Sequence, residues 1–270
     1  MDDKKVGFIG AGNMAYAIGK ALVSSGVIKA GNIMASARTR TRLDACWKDL
    51  GTKSTLDNED VVKFADIIFL SVKPHLICDV IKQIKQSSGP AKLFISVAAG
   101  ITIATMNETF GVPTRIVRTM PNTPCMVECG VIVYALSSEC LPSDGEMIKT
   151  MLDPIGLIEE VPEKQIDSVT SLMGCSIAWY QMVIEAMADG GVKNGVPRAL
   201  AYKMAAKSME GSAKLVLETG NAPGVLKDQV TSPGGSTICG LYELEQSGIR
   251  GAFMKAVDAA TKRNQDLGKK

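Results

Sequence analysis

Val6-Gly7-Phe8-Ile9-Gly10-Ala11-Gly12-Asn13-Met14-Ala15 decides the fold by the order of its residue types. Four residues of strand character lead into a Gly-x-Gly-x-x-Ala turn, and the chain after it has helical periodicity to about Ser24. The first glycine permits a tight turn, the second lets backbone approach a pyrophosphate, and small Ala15 lets helix and strand pack closely. The helix N-terminus brings N–H groups and a partial positive charge to the phosphates. Strand, turn and helix together read as the opening βα unit of a dinucleotide-binding domain rather than as a glycine-rich strand end.

Working outward, short apolar or β-branched runs recur at 6–9, 33–36, 66–72, 93–97, 115–118, 131–135 and 157–161. Helical stretches separate them, which is the pattern of a βαβ series. Ile67-Ile68-Phe69-Leu70 is apolar at successive positions, as a strand covered on both faces requires. The expected fold is α/β: a doubly wound, mostly parallel Rossmann-type sheet over 1–162, then an all-helical domain over 163–270. Helices are expected at 176–190, 197–218, 237–247 and 249–265, with Gly195 before Pro197, Gly220 and Ser247-Gly248 as punctuation.

A chain of 270 residues with 46% hydrophobic and 21% charged content folds into a globule. Its formal charge of +2 comes from basic residues scattered along the chain, so neither a nucleic-acid nor a membrane-surface partner is expected. Small-molecule chemistry is the expectation. The seven cysteines include no CxxC pair, which argues against a disulfide framework and a metal site. They read as small buried hydrophobes in a reducing compartment, the cytoplasm. Met1-Asp2-Asp3-Lys4-Lys5 is too polar for a signal peptide, and no apolar run approaches the roughly 20 residues that span a bilayer.

The second strand bears on which dinucleotide binds. NAD sites usually carry Asp or Glu there for the ribose 2′-hydroxyl. This chain reads Ser36-Ala37-Arg38-Thr39-Arg40-Thr41-Arg42 instead. Ser36 and Arg38 suit a 2′-phosphate and point to NADPH, with NADH left open, whereas Arg40 and Arg42 read as a solvated helix face. Two further strand ends, Ser71-Val72-Lys73-Pro74 and Val97-Ala98-Ala99-Gly100, point to the same crevice and leave room for a flat nicotinamide. The single histidine, His75, reads as a solvated first-turn residue, so no Ser-His-Asp nucleophile or histidine metal site is expected. In the helical half, Thr231-Ser232-Pro233-Gly234-Gly235-Ser236-Thr237 precedes a helix start. It reads equally as an anion cradle for a small carboxylate or as an N-capped loop.

These landmarks, taken in order, resemble the pyrroline-5-carboxylate reductase family along essentially the whole chain. They are the stretch 6–15, Val72-Lys73-Pro74, Ala98-Ala99-Gly100-Ile101-Thr102, Arg118-Thr119-Met120-Pro121-Asn122-Thr123-Pro124, Ala188-Asp189-Gly190-Gly191-Val192, Leu226-Lys227-Asp228 and Ser232-Pro233-Gly234-Gly235-Ser236-Thr237. The resemblance implies NADPH- or NADH-dependent reduction of the cyclic imine 1-pyrroline-5-carboxylate to L-proline, the last step of proline synthesis. It implies that Ile9, Gly10, Ala11, Gly12, Asn13, Met14, Ser36, Asn58, Ser71, Val72, Lys73, Pro74, Val97, Ala98 and Ala99 surround the nucleotide. It also implies that Ser232, Ser236 and Thr237, with Gly234 and Gly235 between them, meet the substrate, and that the Thr237 hydroxyl lies near the imine nitrogen. Arg38 is added on electrostatic grounds.

One segment departs from the family pattern. Members typically read Ser-Gly-Ser-Gly-Pro-Ala-Tyr where this chain has Met173-Gly174-Cys175-Ser176-Ile177-Ala178-Trp179, which bears on pocket shape. A β-hydroxyacid dehydrogenase of similar architecture would place a catalytic lysine on the first long helix of the second domain, and residues 174–187 contain none. A non-catalytic NADP sensor would lack the substrate loop, which is present here. Small residues in Ile184-Glu185-Ala186-Met187-Ala188 and Ala201-Tyr202-Lys203-Met204-Ala205-Ala206 favour close helix packing against a partner. The resemblance implies interlocked homodimers, often assembled further into decamers.

Overall fold

The computed structural model describes residues 3–267. β1 (Val6–Ile9) leads through α1 (Asn13–Ser24) to β2 (Ile33–Ser36). A short α2 (Arg40–Arg42) runs on into a π turn, Leu43–Trp47, before β3 (Lys53–Thr55). Then follow α3 (Asn58–Phe64), β4 (Ile67–Leu70), α4 (Ile77–Ile84), β5 (Leu93–Ser96), α5 (Ile103–Phe110), β6 (Arg115–Pro121), β7 (Gly130–Leu136), α6 (Pro142–Leu152) and β8 (Gly156–Glu160). All eight strands lie in one sheet, in the order β3-β2-β1-β4-β5-β6-β7-β8. Among the described residues only the β6–β7 pair is antiparallel, joined through a 3-10 turn.

Alternation along the strands sends side chains into two apolar layers. Val6, Phe8, Ile67 and Phe69 pack with Ile18 and Leu22 of α1 and Ile148 and Met151 of α6 on one face. Ile9, Ile68 and Leu70 pack with Val61 of α3, Ile77 and Ile81 of α4 and Met106 of α5 on the other. The sheet is doubly wound in this literal sense. Because chain order reverses across the sheet beside β1, the carboxyl ends of β1 and β4 open a crevice there.

The rest is helical: α7 (Ile166–Thr170), α8 (Ser176–Lys193), α9 (Arg198–Thr219), α10 (Pro223–Gln229), α11 (Ser236–Gln246) and α12 (Ile249–Leu267). The chain forms two compact units, Cys175–Ala260 being one, while the residues up to Gly174 and those from Thr261 make the other. The stretch from 163 to 174 stays with the sheet because buried Arg118 on β6 pairs with Glu163 at 3.3 Å and with Asp167 of α7 at 2.9 Å. Asn122 Nδ2 donates to the Met173 carbonyl at 2.9 Å, and Asn264 Nδ2 donates to the Asp167 carbonyl and to Ser171 Oγ. In the helical unit α8 and α9 pack together, and Arg198 pairs with Asp189 beside their connection. Of residues 175–260, only Ser176, Ala188, Ala201 and Ala205 are buried.

Two details correct the sequence expectation. The cysteines are unpaired but not uniformly buried: Cys125 is buried, Cys129 and Cys239 are exposed, and the other four are intermediate. Composition gives a residue type's tendency, whereas Cys239 sits exposed on α11 and Cys129 exposed in the turn before β7. β3 and α10 also join the predicted elements, the first a polar edge strand and the second a single short helix. Among the described residues no helix is long and apolar enough to cross a membrane.

Candidate nucleotide and substrate sites

The nucleotide cleft is built from strand ends that hydrogen-bond to each other. The Gly10 N–H donates to the Ser36 carbonyl at 3.1 Å, joining β1 to β2. Ser71 N–H donates to the Ile9 carbonyl at 2.9 Å and its hydroxyl to the Gly10 carbonyl at 2.8 Å, joining β1 to β4. Val97 N–H donates to the Leu70 carbonyl at 3.2 Å, joining β4 to β5. The result is a cleft of about 1100 Å³ within the sheet unit. It is lined by Gly10, Ala11, Gly12, Asn13, Met14, Ser36, Arg38, Asn58, Ser71, Val72, Lys73, Pro74, Val97, Ala98 and Ala99, all of them anticipated.

Glycine is required at the turn for a stated reason. Gly10 has φ +102°, and a Cβ there would stand 2.7 Å from the Ser71 carbonyl oxygen. Gly12 has nothing within 4 Å of its would-be Cβ, so a side chain there would project into the open space that a pyrophosphate needs. α1 begins at once behind it with no side-chain cap and no acidic residue in its first turn. Its first N–H groups are therefore free for an anion. This uncapped helix end and glycine cradle fit a dinucleotide phosphate.

Some positions differ from the simplest reading. Ile9 does not line the cleft; its side chain is fully buried among the α3 and α4 core residues, and its carbonyl receives the Ser71 hydroxyl at 3.1 Å. Ser36 forms the cleft floor, fully buried, with its hydroxyl donating to Asn58 Oδ1 at 2.7 Å. Asn58 in turn donates to Gln83 Oε1 at 2.9 Å, so Ser36 orients Asn58 from below while Gln83 holds it from the side. Arg38 is exposed and lines the wall. His75 is exposed and does not line the cleft, as a first-turn residue would be.

Leu56, Asp79, Gln83 and Arg42 also line the cleft and were not anticipated. Arg42 Nε donates to the Ala11 carbonyl at 3.0 Å and its Nη2 donates to Asn13 Oδ1. Its position six residues past the end of β2, in a run of alternating Arg and Thr, carried the only signal, and that signal equally suits a solvated face.

The residues expected to meet the substrate lie together in the helical unit. The turn at Ser232 to Gly235 is closed by a Gly235 N–H to Ser232 carbonyl bond of 3.1 Å, and Gly234 has φ +67°. Gly235 occupies the N-cap of α11 and so offers no capping side chain. Ser232, Ser236 and Thr237 are exposed, and their hydroxyls have no hydrogen-bond partner among the described residues. Below them Thr231 anchors the loop, its hydroxyl donating to the Lys227 carbonyl at 2.6 Å.

Comparison with known proteins identifies the family. Residues 163–267 match the family model described as pyrroline-5-carboxylate reductase dimerisation, and residues 5–100 match the one described as NADP oxidoreductase, coenzyme F420-dependent. The chain is 41% identical over 266 residues to pyrroline-5-carboxylate reductase 3 of Danio rerio, covering 98% of this chain and 92% of that one. It is 40% identical over 270 residues to the pyrroline-5-carboxylate reductase of Methanosarcina acetivorans, covering all of both. The crystal structure of Plasmodium falciparum pyrroline carboxylate reductase with NADP bound superposes with a TM-score of 0.90 at 32% identity, covering 99% of each chain. The Coxiella burnetii pyrroline-5-carboxylate reductase does so with a TM-score of 0.92 at 31% identity, covering 100% of each. With 41% identity over 98% of its length to one such reductase and 40% over its whole length to another, the chain belongs to the pyrroline-5-carboxylate reductase family.

Proposed function

We infer that this protein catalyses NAD(P)H-dependent reduction of the cyclic imine 1-pyrroline-5-carboxylate to L-proline, the last step of proline biosynthesis. The observation that carries the reading is 40% identity to a reductase of that name over every residue of both chains. The cleft residues from Gly10 to Met14, with Ser71, Val72, Lys73, Pro74, Val97, Ala98 and Ala99, would hold the dinucleotide; Ile9 contributes through its carbonyl. When bound, it supplies the hydride for the imine carbon. Ser232, Ser236 and Thr237 hydroxyls, with the free N–H groups that begin α11, hold the substrate carboxylate, and Gly234 and Gly235 keep the approach clear.

The chain contributes proximity and orientation. Hydride addition to a protonated iminium gives a neutral amine directly, so no strong protein acid is required. Thr237 then positions the ring nitrogen by a hydrogen bond. Residues 1–162 serve as the nucleotide-binding domain and 163–270 as the substrate-binding and dimerisation domain. Arg38 on the cleft wall, beside Ser36 and the Asn58 it orients, favours NADPH over NADH through the 2′-phosphate. The apolar side chains left exposed by the helical unit support a homodimer, with further assembly of dimers, up to a decamer, as the family resemblance implies. Seven unpaired cysteines support a reducing, cytoplasmic location.

The test is NADPH consumption by the purified protein with racemic 1-pyrroline-5-carboxylate, with L-proline identified as product and the assay repeated with NADH. Turnover to proline with NADPH preferred is the expected result; tight NADPH binding without turnover would overturn the reading. Thr237→Ala should lower kcat about tenfold or more while NADPH affinity stays close to that of the parent, and unchanged kinetics would remove Thr237 from the site.

A further inference from the structure

The geometry points to Arg42 as a second cation for the 2′-phosphate of NADPH, a specificity residue clamped to the phosphate turn and acting with Arg38. The inference deepens the NADPH reading given above and rests on it. Arg42 ends α2, in the segment that follows β2, yet both acceptors of its guanidinium belong to the turn after β1: the Ala11 carbonyl at 3.0 Å and the Asn13 side-chain oxygen. These acceptors are neutral, and Arg42 has no carboxylate partner among the described residues. Its charge is therefore held in place without being cancelled, and its Nη1 remains uncommitted.

The surroundings give that charge a purpose. Ser36, the hydroxyl nearest in sequence to an expected 2′-phosphate, is fully buried and its proton goes to Asn58. From the segment that follows β2, the charges that line the cleft are Arg38, exposed and without an ion-pair partner among the described residues, and Arg42. No acidic residue occurs from Ser36 to Arg42, and the cleft's charged lining is Arg38, Arg42 and Lys73 against Asp79. Asp79 is itself 3.8 Å from Lys82. A guanidinium fixed by two acceptors presents its remaining donors with little further loss of side-chain entropy, which favours a phosphate over a hydroxyl. Arg40, two residues earlier, is exposed and stands outside the cleft, so it supplies a control with the same charge.

The experiment is calorimetric titration of the intact protein with 2′,5′-ADP and with 5′-ADP, which isolates the 2′-phosphate from the nicotinamide chemistry. The parent protein should bind 2′,5′-ADP more tightly. In R42A and R42Q the affinity ratio of the two ligands should fall about tenfold, R42K should retain part of it, and R40A should keep the parent ratio. Equal weakening of both ligands in R42A and R42Q would show that Arg42 only props the phosphate turn and would overturn the inference, as would a loss in R40A matching that in R42A. A parent protein that prefers neither ligand would instead sink the 2′-phosphate reading itself, and this inference with it. The two failures are thus distinguished by whether the parent or the variant deviates.

Discussion

The two units of this chain solve the problem of burying apolar surface in different ways. In the sheet unit Phe8, Phe69 and Trp47 are fully buried, with Phe8 stacked on Phe69 at 4.8 Å between centroids and tilted against Trp47 at 5.1 Å. In the helical unit Leu217 is 79% exposed, Met254 70% and Tyr242 61%. Its four buried residues are three alanines and a serine, which seal close helix contacts but supply little apolar area. A unit of this kind leaves apolar side chains for a partner to cover, whereas the cleft is lined by residues of the sheet unit.

The largest test of that contrast is Phe8→Ala. Removing a ring at the centre of the sheet layer should cost about 4 kcal/mol, read by urea unfolding, and a cost below about 1 kcal/mol would mean that the sheet unit has no single packed core there. The reverse test is dilution. If a second copy completes the helical unit, stability should fall by about 1.4 kcal/mol for each tenfold dilution in a denaturation series followed by circular dichroism. A midpoint independent of concentration, with a monomer in light scattering, would break the comparison at its second half.

A finer test concerns pH. Tyr134 on β7 is pushed up from 10.0 to about 12, first by burial, then by the Glu160 charge and by its hydrogen bond to Glu160 Oε2 at 3.2 Å. The folded phenol stays protonated where an unfolded one ionises. Its contribution is therefore whole below pH 10 and is lost as pH rises toward 12. Tyr134→Phe should flatten stability between those values relative to the parent; identical slopes would mean that the phenol ionises equally in both states.

Much of this architecture is legible in the sequence because apolar runs covered on both faces carry a strong signal. β1 and β2 begin and end where residues 6–9 and 33–36 predict, and the long helices match to within a few residues. β3 escaped notice because Lys53-Ser54-Thr55 is a short polar edge with no apolar run, and α10 because Pro223 and Gly224 resemble a loop. In the cleft, the glycine turn and three strand ends are visible as motifs. The Ser36–Asn58–Gln83 chain and Arg42 are not, since each depends on side chains from separate segments meeting in space. Periodicity describes a single segment's exposure; it has no access to which acceptor a long arginine reaches. The same limit applies to the cysteines, whose burial depends on position in the fold rather than on residue type.

The central claim, hydride transfer from the nicotinamide to the imine carbon, is tested most directly by isotope. The protein would be supplied with NADPH carrying deuterium at C4 in one or the other orientation, together with 1-pyrroline-5-carboxylate, and the proline analysed by mass spectrometry and NMR. The account predicts one deuterium at C5 of L-proline from a single C4 epimer of the cofactor. Proline formed without deuterium from either epimer, or with equal transfer from both, would contradict it.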